Sequence, residues 1–348
     1  MYLPVLPQLS GLLAYALSGI AISHVSHFLS VLVLYQMAVE LLPNKSKGLA
    51  FKAACLHILS PAGLFLSAPY SEASFALFNF TGMLCYIYAS RSDLGGKLHL
   101  SSLWTTAAGI CFALSCIFRS NGLLSGLIFA WDAVAIMLSF DRSGRDLQRL
   151  SATVIAGVIT GCGFVAPQIV AYFEYCTAGQ SRPWCEKLMP SIYSWVQTEY
   201  WNVGFLRYWT LSNLPLFLLA APMLLVLVLT AVAGLRSTVA EEDTTAGTET
   251  RSVKAGREAS HQGVVYEACL KRFALPQLVL ALLALFNFHV QIITRISSGY
   301  PLWYLIVALA TAQGAEEKEL MPARFIVRGM VLYAIIQGGL YASFLPPA

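Results

Sequence analysis

Three charged residues in this chain have the types and settings for chemistry: Glu72, Arg119 and Arg295, each at the edge of a strongly apolar run. Glu72 follows Pro69, Tyr70 and Ser71, so its carboxylate falls in the first turn of a helix with Ser71 placed as the N-cap. There it either complements the helix dipole or, at a membrane surface, orients or deprotonates a sugar hydroxyl. Arg119 closes an apolar run just before the turn dipeptide Asn121-Gly122. Arg295 is preceded by His289 and Gln291 and followed by Ser297, Ser298 and Gly299. An arginine at such a depth snorkels to the interface or grips a phosphate through two parallel N–H donors. Polar groups inside apolar runs are costly and tend to be functional.

A fourth polar group is the stretch from Pro190 to Trp209, an aromatic island between apolar blocks. Pro190 suits a first helical position and Gly204 a helix end. Trp195, Glu199 and Asn202 then fall at i, i+4 and i+7, on one face. Such a helix anchors at an interface through its aromatics, or it forms a site for a sugar or lipid headgroup. The candidate catalytic residues are therefore Glu72 and Glu199, and the candidate phosphate ligands Arg119 and Arg295. The candidate substrate contacts are Tyr70, Asn121, Trp184, Trp195, Gln197, Trp201, Asn202, His289 and Tyr300. No cluster has metal-ligand spacing, and neither a phosphate-binding Gly-rich loop nor a Gly-x-Ser-x-Gly elbow is present. No metal or cofactor is expected, and nothing suggests nucleic acid.

The elements that must hold these residues are membrane helices. Apolar residues make up 57% of the 348 and charged ones 11%, and the mean hydropathy is +0.66, which excludes an ordinary soluble domain. About ten apolar segments can be drawn, near the length of about 20 residues that a bilayer asks for. They cover 11–39, 50–68, 73–90, 98–118, 123–140, 151–173, 211–233, 274–295, 301–314 and 325–345. The segment 301–314 is too short to stand upright and is expected to be re-entrant, kinked at Pro301 or extended at its C-terminal end. The fold class is an all-α polytopic bundle, divided into 1–235, a loop at 236–273 with the composition of a disordered linker, and 274–348.

Alternating the segments across a bilayer gathers most basic residues on one side. These include Lys45, Lys52, Arg91, Arg145, Arg149, Arg236, Arg324 and Arg328, whereas Arg119, Arg182, Lys187, Arg207 and Arg295 fall on the other. The positive-inside rule makes the first side cytosolic and the second luminal or external. The luminal side then collects 67–72, 118–122, 174–210 and 294–304, the pattern of a site cradled by a scaffold. Cys176 and Cys185 share the polar loop on that side and pair if it faces an oxidising compartment. The sequons at Asn44 and Asn79 fall in the cytosol and within a span. Asp132, beside Trp131 in mid-segment, is expected to pair locally with another side chain.

Several long blocks resemble the GPI mannosyltransferase 2 family, the PIG-V class, in that family's order. They include SPAGLFLSAPYSEASFALFNFTG (60–82), RSNGLL (119–124), PWC (183–185), PSIYSWVQTEYWNVGFLRYW (190–209), LPLFLLAAPML (214–224) and HVQIITRISSGYPLWY (289–304). The resemblance implies a GT-C type transmembrane bundle in the endoplasmic-reticulum membrane, multi-pass, with its active face luminal. It implies transfer of the second, α-1,6-linked mannose from dolichyl-phosphate mannose to the GPI glycolipid precursor. Membrane lipids are expected around it, and a small membrane partner subunit is a further candidate partner. The family carries an upstream span and an acidic luminal loop, so the chain is expected to be shortened at its N-terminus, with the principal catalytic acid upstream. Trp131-Asp132 is no substitute for that loop. The rival readings are a non-catalytic subunit of GPI assembly and a lipid transporter or scramblase, the latter requiring a polar path through the membrane.

Overall fold

The computed structural model describes residues 11–42, 46–141, 143–177, 182–237, 251–312 and 317–343, and among these the secondary structure is helical. In chain order the helices are α1 (Gly11–Leu41), α2 (Lys47–Ile58), α3 (Gly63–Ser67), α4 (Glu72–Leu94), α5 (Leu98–Phe118), α6 (Leu127–Leu138) and α7 (Gly144–Cys176). They continue with α8 (Ile192–Glu199), α9 (Leu214–Arg236), α10 (Arg251–Phe286), α11 (Ile293–Ile296), α12 (Leu302–Ala310) and α13 (Glu317–Ala342). Seven helices are long and apolar enough to cross a membrane, or up to eight if the bent pair at 290–310 is one span.

The difference from ten segments has local causes. The run 50–68 breaks into α2 and α3, because Pro61 brings no N–H to a continuing helix and Ser60 Oγ accepts the Ala62 N–H at 3.2 Å. The run 73–90 becomes α4, long enough to span but less apolar, because its ends and middle carry Glu72, Asn79, Arg91 and Asp93. Helix α4 packs against α1, α5 and α10, which cover it on several sides. A helix shielded this way can hold polar groups if each finds a partner. The segment at 301–314 is kinked as expected: 290–299 and 302–310 meet at 82°.

Composition misled at 236–273. Helix α10 starts at Arg251, and Val265, Cys269, Leu270 and Phe273 are buried in the core. Residues 251–273 thus lie on a helix rather than in a linker; the rest of the expected linker, 238–250, lies outside the described residues, as does Asn44.

Close helix packing rests on small residues, as in other membrane bundles. A Cβ at Gly163 of α7 would lie 2.3 Å from the Ala113 carbonyl oxygen of α5. Many of the polar groups carried by the helices are paired across the bundle. Asp132 accepts from Arg272 Nε at 2.6 Å and from the Tyr86 hydroxyl at 2.5 Å, the local pairing its depth implied. Arg91 pairs with Glu40, and Arg145 and Arg149 both pair with Asp93. A second buried network joins α1, α2 and α12. Ser30 Oγ lies 2.9 Å from His57 Nε2, and His57 Nδ1 lies 3.1 Å from the Tyr304 hydroxyl. That hydroxyl is also 3.2 Å from Ser60 Oγ and 3.3 Å from the Ser298 carbonyl.

Candidate functional site

Helices α4, α5 and α11 deliver Glu72, Arg119 and Arg295 to one point at one end of the bundle. Arg119 Nη1 donates to Glu72 Oε1 at 2.8 Å. Arg295 donates to the same oxygen from Nη2 at 2.6 Å and from Nε at 3.0 Å. The Glu72 side chain is only 1% exposed while those of the two arginines are 21% and 22% exposed. The carboxylate is thus sealed behind its cations, and the cations face outward. Its second oxygen, Oε2, is buried with no hydrogen-bond partner among the described residues. One carboxylate against two guanidinium groups leaves a local excess of one positive charge.

The arginines are fixed from several directions. The Arg295 guanidinium carbon lies 4.1 Å from the centre of the Phe65 ring and 5.1 Å from that of Tyr70, a cation–π arrangement that holds the fork flat. Arg119 Nε donates to Asn121 Oδ1 at 3.4 Å. The fully buried Tyr300 hydroxyl donates to the Asn121 carbonyl at 2.9 Å, locking the turn after α5 to the bend before α12. Beneath that bend Asn79 Nδ2 donates to the Gly299 carbonyl at 2.8 Å and its Oδ1 accepts from Ser125 at 2.6 Å. Asn79 is 0% exposed, which withdraws that sequon from glycosylation. Ser71 occupies the N-cap position without capping; its hydroxyl accepts instead from Arg119 Nη1 at 3.5 Å.

A groove of about 350 Å³ opens beside Arg119. Ser71, Ser120, Asn121, Gln168 and Tyr193 give it polar groups, and Ile117, Phe118, Phe164 and Pro167 give it apolar walls. Gln168 Oε1 accepts from Ser191 Oγ and from the Tyr193 N–H, both at 3.1 Å, which ties α8 to α7. The Tyr193 hydroxyl accepts from Ser120 at 2.9 Å.

The island at 190–209 is arranged differently from the single helical face expected. Ser191 caps α8 by accepting the Ser194 N–H, which places Pro190 ahead of the cap. The helix ends at Glu199, and Asn202 turns left-handed with φ 48°. Asn202 therefore leaves the face that Trp195 and Glu199 share. Beyond it the chain docks on the end of α10. Gly204 and Leu206 donate to the carbonyls of Asn287 and Phe286 at 3.2 and 2.7 Å, and Trp209 Nε1 donates to Leu285 at 2.8 Å. His289 stacks on Tyr208 with ring centres 4.6 Å apart, and its Nε2 lies 2.6 Å from the Trp201 carbonyl. His289 thus fastens the loop.

The other expected contacts divide. Trp201 is 56% and Tyr70 37% exposed, so both offer ring surface. Trp195 lies edge-on to Tyr200. Gln197 accepts the Val203 N–H through its backbone carbonyl. Trp184 is 2% and Tyr300 0% exposed, so these two rings serve packing and present no face to a sugar. Glu199 is exposed and has no ion pair among the described residues. Cys176 and Cys185 form a disulfide, closing the polar loop. Among the described residues no three His, Cys, Asp or Glu side chains are gathered to hold a metal ion. Phe65, Gln168 and Tyr193 were not expected at the site; apolar context hid the first, and the other two only gain meaning once α7 and α8 are side by side.

The profile of the family described as "Mannosyltransferase (PIG-V)" matches residues 2–348. A protein named GPI mannosyltransferase 2 from Gibberella zeae is 44% identical over 340 residues, covering 96% of this chain and 75% of its own length. Its namesake from Chaetomium globosum is 43% identical over 357 residues, covering 97% of this chain and 72% of its own length. That from Aspergillus oryzae is 39% identical over 344 residues, covering 95% and 74%. No solved structure matches the chain.

Proposed function

Because the chain belongs to the PIG-V mannosyltransferase family, we propose that it transfers the second, α-1,6-linked mannose from dolichyl-phosphate mannose to the GPI glycolipid precursor. The enzyme works in the endoplasmic-reticulum membrane with the Glu72 end of the bundle facing the lumen. The observation that carries this reading is the pair of outward-facing arginines on one sealed carboxylate, beside a groove that is polar within and apolar along its walls. A lipid-linked phosphosugar has the same two characters.

In the reaction the bond between mannose C1 and the donor phosphate oxygen breaks, and a bond from C1 to the acceptor hydroxyl oxygen forms, with inversion. The electron pair leaves with the dolichyl phosphate, and the hydroxyl proton passes to a base. Arg119 and Arg295 meet the phosphate with their free N–H groups and stabilise its growing charge. Glu72, engaged by three N–H donors, orients the two forks rather than accepting a proton. Of the two candidate carboxylates only Glu199 is exposed and unpaired among the described residues, so between these two it is the freer to take a proton, beside the acidic loop that the family resemblance expects upstream. Tyr70 and Trp201 supply the exposed aromatic surface for sugar.

The test is reconstitution of the purified protein in liposomes with labelled dolichyl-phosphate mannose and a monomannosylated GPI precursor. Appearance of a dimannosylated product, cleaved by an α-1,6-mannosidase, is expected. Absence of product from protein that binds both lipids overturns the assignment.

A further inference from the structure

At the end of the bundle opposite Glu72, α2, α12 and α13 enclose a crevice of about 370 Å³. Its floor is Cys55, Leu56, Leu59 and Val327, and its rim is Lys52, Arg324 and Arg328. We infer that this crevice binds an anionic glycerophospholipid, phosphate on the three cations and acyl chain on the apolar floor.

Arg324 and Arg328 lie four residues apart in α13, so their side chains leave the same face of the helix. Across the crevice, Lys52 Nζ donates to the Thr311 carbonyl at 2.6 Å. That carbonyl ends α12, and the bond holds the ammonium at the rim with further N–H groups to spare. Several other cations at this end are neutralised. Arg91 has Glu40, Arg145 and Arg149 have Asp93, and Lys271 has Glu267. Around the crevice no described carboxylate plays that part. Three like charges around an apolar floor offer complementary charge to an anion placed among them.

The chemistry of that anion follows from the lining. Two guanidinium forks suit phosphate oxygens in pairs, and an ammonium adds a point charge. A free phosphate would make no use of the floor, whereas a lipid buries its chain there. Leu59, 45% exposed, opens the floor towards the surrounding lipid. Basic pockets between helices on the side where basic residues collect are where anionic headgroups settle. Helix α13 has only 11% of its most apolar window buried, so a lipid seated here would also join it to the bundle. The inference is independent of the transferase reading and concerns a separate face.

The test uses the full chain in phosphatidylcholine nanodiscs with and without phosphatidylserine. Lipids retained after detergent extraction are counted by mass spectrometry. Wild-type protein is expected to retain phosphatidylserine over phosphatidylcholine. Arg324→Gln/Arg328→Gln is expected to reduce that preference about tenfold, as loss of charge-assisted contacts implies. Arg328→Gln alone should show a partial loss, which separates binding from misfolding. Arg236→Gln, an exposed cation outside the crevice, should leave the preference intact. No preference in the wild type, an equal loss in Arg236→Gln, or displacement of the phosphatidylserine by an added polyprenyl phosphate each overturns the inference.

Discussion

Arg119 and Arg295 donate to a single oxygen of Glu72, at 2.8 and 2.6 Å, although they come from opposite halves of the chain. Neither guanidinium can shift without disturbing the other's partner. The carboxylate makes the two cations one preorganised unit.

Loss of either fork should therefore act on the transition state. Arg295→Ala is expected to lower kcat/KM for the donor by about a hundredfold, the scale for removing one preorganised donor to developing charge. Arg295→Lys should recover only part, since the charge returns without the planar fork. Steady-state kinetics with dolichyl-phosphate mannose checks this, and unchanged kinetics would remove Arg295 from the site.

Glu72→Gln should reveal a structural cost as well as a kinetic one. Leaving two cations beside each other without their shared anion is expected to destabilise the bundle by about 3 kcal/mol. Combining it with Arg119→Gln should restore part of that loss, because the coupled charges do not add. Thermal unfolding in detergent measures both. A kinetic defect at full stability would instead favour a proton-accepting role for Glu72.

Tyr304→Phe tests whether the buried network under α12 positions the arginines. The hydroxyl touches His57, Ser60 and the Ser298 carbonyl three residues beyond Arg295. Its loss leaves buried partners unmet and is expected to cost about 1–2 kcal/mol. The donor KM should rise more than kcat falls, which a purely global destabilisation would not produce.

The Cys176–Cys185 disulfide gives a handle on orientation. In sealed microsomes a membrane-impermeant maleimide should modify these two cysteines only after permeabilisation and reduction. The Cys176→Ser/Cys185→Ser variant is expected to lose about 2–3 kcal/mol, the scale for a short closed loop. Labelling from the outside of intact vesicles would reverse the proposed orientation.

How much of this was legible in the sequence depends on the range of the interaction. Apolar length announced the bundle, turn residues placed Glu72, Arg119 and Arg295 at helix edges, and Pro301 announced the bend before α12. Their meeting point was not legible, because it is set by how α4, α5 and α11 pack. The pattern at i, i+4 and i+7 failed at Asn202 because α8 stops at Glu199, which no periodicity reports. Trp184 and Tyr300 looked like sugar platforms by residue type and are buried by tertiary packing. The linker failed for the opposite reason: charged composition concealed a helix whose apolar face packs into the core.

The antiparallel course of α9 and α10 has a final consequence. Helix α9 closes at Arg236 and α10 opens at Arg251, while α10 packs on α4 and α12 packs on α2. The first nine helices hold the carboxylate and one arginine, and the last four bring the other arginine. In effect the molecule is a heterodimer whose two subunits happen to be covalently joined, with its proposed reaction centre in the interface. Severed between α9 and α10, the two fragments would keep each of the contacts that define that centre and should complement one another when made as separate polypeptides.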